Sequence, residues 1–324
     1  MKTFISLFLI SLPIVAHANH HSVTIKNDDL SVTLAAKGAE LQSIKDLSTD
    51  IEYLWQGDPE YWEARSPNMF PVNVRFKDNR FTYQGKEYEM PRMGLAVIGE
   101  FETLAKEGDK KKDAKIVQVL RSSEDTLQYY PFQFELRVIS QLKGLKLLQK
   151  YKVINKGTDT MYFALGGHPG FNTPLNKKRK RSNYQYVFTD KMHVKRNEII
   201  DSLIQENKLD FLKNEDRLTL SDKRIPSGGM FLYDNQSRQI SIALKGRKPY
   251  VTVDLGDFPN TNLWTPPGMP FAAIEPMVAH HDFQETALAI EDKNFLIALP
   301  AGKSRTYQYT ITVNPKEGER ALKK

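Results

Sequence analysis

Short segments in which apolar and polar residues alternate one by one recur along most of the chain. From Arg305 to Val313, the apolar residues from Tyr307 onward fall on one side of an extended backbone, because successive strand side chains point to opposite faces. The other alternating segments are Val23–Ile25, Leu30–Leu34, Ile116–Leu120, Phe134–Ile139, Leu145–Ile154, Gln239–Leu244 and Tyr250–Leu255. Such segments, separated by turns rich in Gly, Asn and Asp, predict an all-β protein, a large antiparallel sandwich or barrel.

Helical periodicity is weak by comparison. The segment Glu198 to Asn207 is predicted to form a turn or two of helix. No composition break or Pro/Ser-rich linker divides residues 19–324. The sequence therefore predicts one β domain over that range.

Residues 1–18 have the three parts of a secretory signal peptide. Lys2 is a short positive region, an apolar core runs from Phe4 to Val15, and the small residues of Ala16-His17-Ala18 favour cleavage before Asn19. The apolar core is short for a permanent anchor, although an uncleaved N-terminal anchor is the alternative. We expect an exported protein, periplasmic or secreted, without membrane contact after cleavage.

Charge and cysteine content limit the partners and the chemistry. The formal net charge is +7, and much of it sits in the runs Lys110 to Lys112 and Lys177 to Arg181. The second run could hold a phosphate or a polyanion, or it could be a solvated loop. It lacks the interleaved aromatic residues of a single-strand platform, and we expect no nucleic-acid partner. The chain has no cysteine, which excludes disulfides and thiolate chemistry.

His168 stands where a strand is predicted to end. It follows the apolar stretch Tyr162 to Leu165 and two glycines, which let the backbone turn sharply, and it precedes Pro169, which removes a backbone donor. An imidazole can act as an acid or a base near neutral pH. His168 is therefore either a catalytic acid or base or a structural histidine.

Glu275 follows the apolar run Phe271 to Ile274 and precedes Pro276, which is predicted to end the strand. A carboxylate at the end of a buried strand costs free energy unless it is paired or used. The alternative is a surface or salt-bridged glutamate. Brought together in a cleft, Glu275 and His168 would form an acid–base pair able to move protons on a neutral substrate.

Other polar and aromatic residues could hold such a substrate. Arg75 could donate several hydrogen bonds to hydroxyls or to a carboxylate. Five aromatic residues could stack on the apolar face of a sugar or lie in the core, namely Trp55, Trp62, Phe171, Tyr250 and Trp264. His280 and His281 are adjacent, so on a strand they point to opposite faces, and no metal site is predicted. The sequence has no Gly-rich phosphate loop and no nucleophile elbow, and no cofactor is predicted.

Several blocks, in this order, carry a resemblance to a known family. The blocks are Gly38–Ile44, Tyr53–Trp62, Pro67–Pro71, Arg75–Asn79, Tyr83–Lys86, His168–Phe171 and Ile274–Pro276. Together they resemble the aldose 1-epimerase (galactose mutarotase) family, in particular its shorter LacX-like branch. The resemblance covers nearly all of residues 19–324.

The resemblance implies the large antiparallel β-sandwich called the galactose mutarotase-like supersandwich, and a reaction without cofactor. It implies that Glu275 is the base that takes the proton of the anomeric hydroxyl, and that His168 is the acid that protonates the ring oxygen. Arg75 would orient hydroxyls, and Phe171 and Trp264 would contact the sugar. The implied partner is a small-molecule sugar or sugar derivative.

Two departures from the family pattern concern substrate binding. The family's His-Gly-Phe-Ala-Arg-like segment here begins with Met93, and methionine cannot donate a hydrogen bond. The family's aspartate near Gly228 is also missing, and the next acid in the chain is Asp234. The chain is thus predicted to be a mutarotase-like enzyme, with a non-catalytic carbohydrate-binding protein as the alternative.

A hexose phosphate or an acidic sugar is a third possibility, suggested by Arg75, Arg92 and the run Lys177 to Arg181. The sequence does not decide which sugar is bound, nor the oligomeric state.

Overall fold

The structure, a computed structural model, describes residues 22–108, 113–234 and 236–323. The predicted signal peptide, residues 1–18, and the run Lys110 to Lys112 lie outside the described residues and stay predictions. Within those ranges, no helix combines the length and the apolar character needed to cross a membrane.

Strands make up most of the regular structure. They are β1 (Ser22–Lys26), β2 (Leu30–Ala35), β3 (Leu41–Asp46), β4 (Asn68–Met69), β5 (Arg80–Tyr83), β6 (Lys86–Glu89), β7 (Glu102–Glu107), β8 (Asp113–Arg121), β9 (Phe134–Lys143), β10 (Lys146–Asn155), β11 (Met161–Phe163), β12 (Gly166–Gly167), β13 (Gly170–Asn172), β14 (Tyr184–Ile200), β15 (Leu203–Thr219), β16 (Met230–Leu232), β17 (Gln239–Leu244), β18 (Pro249–Asp254), β19 (Asn260–Trp264), β20 (Phe271–Met277), β21 (Ile297–Leu299) and β22 (Ser304–Val313). The helices are α1 (Glu124–Tyr129) and α2 (Pro315–Leu322), with 3-10 turns at Lys77–Asn79, Arg181–Asn183 and Ile290–Asp292.

Two antiparallel sheets form the body of the fold. The larger has nine strands in the order β15-β14-β17-β18-β22-β10-β9-β8-β7. The smaller has six, in the order β16-β19-β20-β12-β4, with β13 also paired to β20. Small sheets of β1-β2-β3, β5-β6 and β11-β21 flank them. The prediction of an all-β antiparallel protein is confirmed.

The core joins the two large sheets. Tyr151 and Ile311 of the nine-stranded sheet and Ile274 and Leu263 of the six-stranded sheet belong to one buried cluster. The Tyr151 hydroxyl also donates a 2.7 Å hydrogen bond to the side-chain oxygen of Asn68 in β4. The six-stranded sheet thus lies against the nine-stranded sheet, and its strands β12, β13, β19 and β20 carry the site described below.

The period-two pattern predicts the buried face of β22 correctly. Tyr309, Ile311 and Val313 are buried, and Tyr307 is half-buried. The predicted segments Phe134–Ile139 and Leu145–Ile154 form a hairpin, in which β9 and β10 pair from Lys143 and Lys146 outward. Alternation works here because one face of the sheet meets the core and the other meets solvent.

The helix predicted for Glu198 to Asn207 is wrong. This segment spans the tip of the long β14–β15 hairpin, where Asp201 and Ser202 form the turn with φ angles of 51° and 62°. Most side chains of the outer hairpin are exposed or half-exposed on both faces. The segment's buried side chains, Leu203 and Ile204, are adjacent in the chain, so the segment lacks the alternation that identifies a strand.

Candidate active site

A cavity of about 510 Å³ opens at the six-stranded sheet. Its wall includes Trp62, Met93, His168, Asn262, Trp264 and Glu275. The volume falls within the roughly 300–1,000 Å³ typical of small-molecule sites. His168 and Glu275, predicted from separate parts of the sequence, therefore meet in one place, which we call the Glu275 cavity.

His168 lies in the short break between β12 and β13. Its backbone N–H donates to the carbonyl of Pro67, 3.0 Å away, which fixes the chain at the cavity. The glycine before it serves a different purpose from the one predicted. A Cβ on Gly167 would lie 2.7 Å from the Tyr309 hydroxyl, so close packing rather than a sharp turn requires glycine there.

Glu275 lies in the middle of β20 rather than at its end. The prediction that Pro276 ends the strand is wrong, because β20 continues through it to Met277. Pro276 is tolerated because the strands on that side, β12 and β13, pair only with Met277 and with residues up to Ala273. A proline at an interrupted ladder loses no hydrogen bond.

The carboxyl group of Glu275 has one hydrogen bond and one free oxygen. The side-chain amide of Asn262, opposite on β19, donates to Oε1 over 2.9 Å. Oε2 has no hydrogen-bond partner among the described residues. It lies 3.4 Å from Nε2 of His168. This oxygen and this nitrogen are the candidate acid–base pair of the site.

Burial shifts the two pKa values in opposite directions. It raises the pKa of Glu275 from 4.5 to about 8, against the hydrogen bond from Asn262, which lowers it. It lowers the pKa of His168 from 6.5 to about 4. Both shifts follow from the cost of a charge in a poorly solvated place. At neutral pH the pair is therefore uncharged and holds one proton, on Glu275.

Two tryptophans enclose the imidazole. The ring centroids of Trp62 and His168 are 4.8 Å apart, and Trp264 approaches the same imidazole edge-on at 5.4 Å. The two indoles also contact each other at 5.2 Å. This aromatic wall excludes water from the pair and offers apolar faces on which a sugar ring could stack.

Of the predicted sugar-contacting aromatics, Trp264 lines the Glu275 cavity and Phe171 does not. Phe171 is completely buried in the main core cluster, and as part of β13 it is paired with Ala272 of β20. Its side chain faces the core side of the strand, where no ligand can reach it. Trp62, which the sequence also offers as a stacking residue, lies in the cavity wall.

Arg75 supports the cavity from outside. Val74, with a φ angle of 56°, lines the cavity in its place. The guanidinium group of Arg75 donates to the carbonyls of Phe76 and Asp201, at 3.3 and 3.2 Å. Arg75 therefore holds the tip of the β14–β15 hairpin, and its role in orienting hydroxyls stays a prediction.

The hairpin tip forms one rim of the cavity. Asp201 and Ser202 both line it, and Arg92 donates to the Ser202 hydroxyl over 3.0 Å. Burial and the neighbouring Arg75 lower the pKa of Arg92. The sequence has no acid near Gly228, but Asp201, which is distant in the chain, lines the same cavity as Gly228.

The region of Met93 is apolar. Met93 and Val74, together with Ile199, pack against a small buried cluster of Met69, Phe231 and Met277. Gly228 and Gly229 complete this side of the wall. The cavity therefore has an apolar side in addition to the His168–Glu275 side.

Sequence reasoning missed His281 as a cavity residue, as it missed Asn262 and Asp201. From the sequence, His281 is considered only as a metal ligand, and that role is rejected. In the structure this residue lines the Glu275 cavity and is 2% exposed. The described ranges contain no group of three or more His, Cys, Asp or Glu residues arranged to hold a metal ion. In the sequence, the sign of this residue is the adjacent pair of imidazoles, His280 and His281.

The basic run is a solvated loop only in part, with Lys177, Lys178 and Lys180 exposed. Arg181 is partly buried and donates to the carbonyls of Phe271 and Thr265 at 3.2 and 3.1 Å. Arg179 donates to the carbonyl of Lys323. Lys177 and Arg181 line a separate cavity, not the one that contains Glu275. Part of the run therefore stabilises the fold.

Solved structures share this architecture. A galactose mutarotase related enzyme from Lactobacillus acidophilus has a TM-score of 0.83 and 28% sequence identity, over 91% of this chain and 97% of that one. A galactose mutarotase-like protein from Lactobacillus casei has a TM-score of 0.81 and 24% identity, over 91% of this chain and all of that one, and supports the fold. The fold is the galactose mutarotase-like β-sandwich.

The sequence comparisons identify the family. The profile described as aldose 1-epimerase matches residues 21–312. Protein LacX of Lactococcus lactis subsp. lactis, in its plasmid and chromosomal forms, is 30% identical over 306 residues, which cover 90% of this chain and 99% of LacX. The chain belongs to the aldose 1-epimerase family, and the family predicted from the sequence is confirmed.

Proposed function

We propose that this protein interconverts the α and β anomers of an aldose by opening and reclosing the sugar ring. The observation that carries the proposal is the buried pair of His168 Nε2 and Glu275 Oε2, 3.4 Å apart in a tryptophan-walled cavity. Membership of the aldose 1-epimerase family supports it.

In the proposed reaction, Glu275 takes the proton of the anomeric hydroxyl while His168 protonates the ring oxygen. The bond between C1 and the ring oxygen breaks, the C1–C2 bond rotates, and the reverse transfers close the ring on the other face. Both sugar oxygens are bonded to C1, so an acid and a base that are neighbours can serve both. Trp62 and Trp264 would hold the sugar ring.

The proton count of the pair determines the pH range of activity. Opening moves one proton onto Glu275 and one off His168, so the pair holds one proton before and after the step. Below about pH 4 the pair gains a second proton, and above about pH 8 it loses its last one. We expect kcat/KM to be highest between these limits and to fall on both sides.

The test is anomer exchange measured by NMR saturation transfer across a panel of aldoses, against the spontaneous rate. Wild type should accelerate exchange and Glu275→Gln should not, because an amide cannot accept the proton. Glu285→Gln, on an exposed side chain, is the matched control and should behave as wild type. Equal acceleration by wild type and Glu275→Gln would falsify the assignment.

A non-catalytic carbohydrate-binding protein is the second candidate, and Met93 in the cavity wall favours it. Methionine offers no hydrogen-bond donor at that point. The same NMR samples decide between the two. Sugar resonances that broaden on adding protein, without faster anomer exchange, would establish binding without turnover.

We also propose that the protein is exported after cleavage of residues 1–18. The support is the sequence alone, with Lys2, the apolar core and the Ala16-His17-Ala18 cleavage site. Mass spectrometry of the protein from its native cell should find Asn19 as the first residue, in the periplasmic or extracellular fraction. An intact N-terminus in the cytoplasmic fraction would contradict export.

A further inference from the structure

A second imidazole, apart from the acid–base pair, lines the Glu275 cavity. His281 lies in the loop that follows β20, and its ring meets Phe231 edge-on at 6.0 Å. Its backbone carbonyl accepts a 2.7 Å hydrogen bond from His280 Nδ1. Neither ring nitrogen of His281 has a hydrogen-bond partner among the described residues, and both are shielded from solvent.

Such a side chain is costly in a folded protein. A buried donor or acceptor without a partner loses its hydration and gains nothing in return. Unpaired buried polar groups are few in native structures, and each needs an explanation. An apolar residue would fill this position without that cost, so a core role alone does not account for His281.

The surroundings of His281 keep the ring neutral. Burial, His280 and Arg92 together lower its pKa to about 3. A neutral imidazole carries one N–H donor and one nitrogen acceptor. A sugar hydroxyl also donates one hydrogen bond and accepts others, so the two groups match. A carboxylate or a phosphate would match only the donor.

His281 is close to the position of the missing family histidine. Met93 packs against the cluster that contains Phe231, and the His281 ring contacts the same Phe231. Both residues line the Glu275 cavity. The imidazole thus reaches this region from the loop after β20 and not from the segment that contains Met93.

We infer that His281 binds an uncharged hydroxyl group of the sugar and supplies the hydrogen bonding that Met93 cannot. The substrate class is then a neutral aldose with a hydroxyl on the Phe231 side of the cavity. This inference rests on the proposed function of the same site.

The test combines removal and transfer of the imidazole. His281→Phe keeps a flat ring and removes both nitrogens, and it should raise KM for the best neutral aldose about tenfold with little change in kcat. Met93→His should restore KM in the His281→Phe background. Histidine is enriched among residues with positive φ, so it suits the 60° φ angle of Met93. His193→Phe, on an exposed histidine, is the matched control.

The outcomes separate this inference from the proposed function. Unchanged KM in His281→Phe, while wild type accelerates exchange, would overturn the inference and leave the function intact. If His281→Phe does not fold, the smaller apolar variant His281→Leu, which also lacks a donor and an acceptor, provides the same comparison. If wild type binds neutral aldoses without turnover, weaker binding by the variant supports the inference and equal binding overturns it. A wild type that neither binds nor accelerates overturns both.

Discussion

Replacing Glu275 with glutamine should make the protein more stable, and increasingly so as the pH rises. Burial raises the pKa of this carboxyl from 4.5 to about 8, so the folded state holds the proton more tightly than the unfolded state. The stability that Glu275 contributes is therefore complete below pH 4.5 and is lost as the pH rises through 8. Glutamine does not titrate and keeps its contribution throughout.

The size of the effect follows from the shift. At about 1.4 kcal/mol per pKa unit, the change from 4.5 to about 8 is worth about 5 kcal/mol in all. About half of it, about 2–3 kcal/mol, falls between pH 5 and pH 7. The advantage of Glu275→Gln over wild type should grow by that amount across this interval.

The assay is urea unfolding of both proteins at pH 5 and pH 7, followed by tryptophan fluorescence. Trp62 and Trp264 line the Glu275 cavity, so the signal reports on the region of the mutation. Glu285→Gln, on an exposed side chain, should give a curve parallel to wild type. If Glu275→Gln and wild type keep a constant difference between the two pH values, the carboxyl is not held in its protonated form and the reasoning is refuted.

Three further predictions follow from contacts in and around the site. Gly229→Ala should lower kcat/KM about tenfold or more in the exchange assay. The added Cβ would lie 2.3 Å from Asn262 Oδ1 and displace the amide that supports Glu275. The control is Gly228→Ala, whose Cβ would be nearest to a backbone oxygen at 3.2 Å and which should have the smaller effect. Arg75→Ala should raise KM severalfold without changing kcat, because it loosens the hairpin tip; a fall in kcat alone would contradict this. Lys293→Met should lower the free energy of unfolding, measured in urea, by about 3–5 kcal/mol. The substitution removes the ion-pair partner of Asp282, whose carboxylate is completely buried.

The parts of the site that the sequence predicts are those fixed by the local chain. His168 and Glu275 each stand beside a proline after an apolar run, and both match blocks of the family in the right order. Trp264 belongs to β19, the neighbour of β20, and so lies beside Glu275. For these residues, strand membership is enough to place the side chain near the pair.

The parts that could not be predicted depend on long-range geometry. Phe171 and Trp62 are both plausible sugar platforms in sequence, and only the packing of β13 on the core excludes the first. Val74 lines the cavity and Arg75 does not, and the left-handed conformation of Val74 is not predicted by any residue pattern. Asp201 reaches the cavity at the tip of a hairpin whose two strands have 17 residues each, in a segment that resembles a helix in sequence.

Because the pKa values of Glu275 and His168 shift in opposite directions, the free energy of sugar binding must be used to move a proton between them. At their ordinary pKa values of 4.5 and 6.5, the two groups would together hold one proton over only two pH units. In the cavity the interval runs from about 4 to about 8. Within this interval the proton is on Glu275, because its pKa is now the higher of the two. Ring opening by the proposed route starts instead with the proton on His168. Moving it costs about 5 kcal/mol, from the difference of about four units between the two pKa values. Groups that stabilise the carboxylate, above all the amide of Asn262, lower that cost directly. Changes at Asn262 should therefore affect kcat more than changes at residues that hold only the sugar.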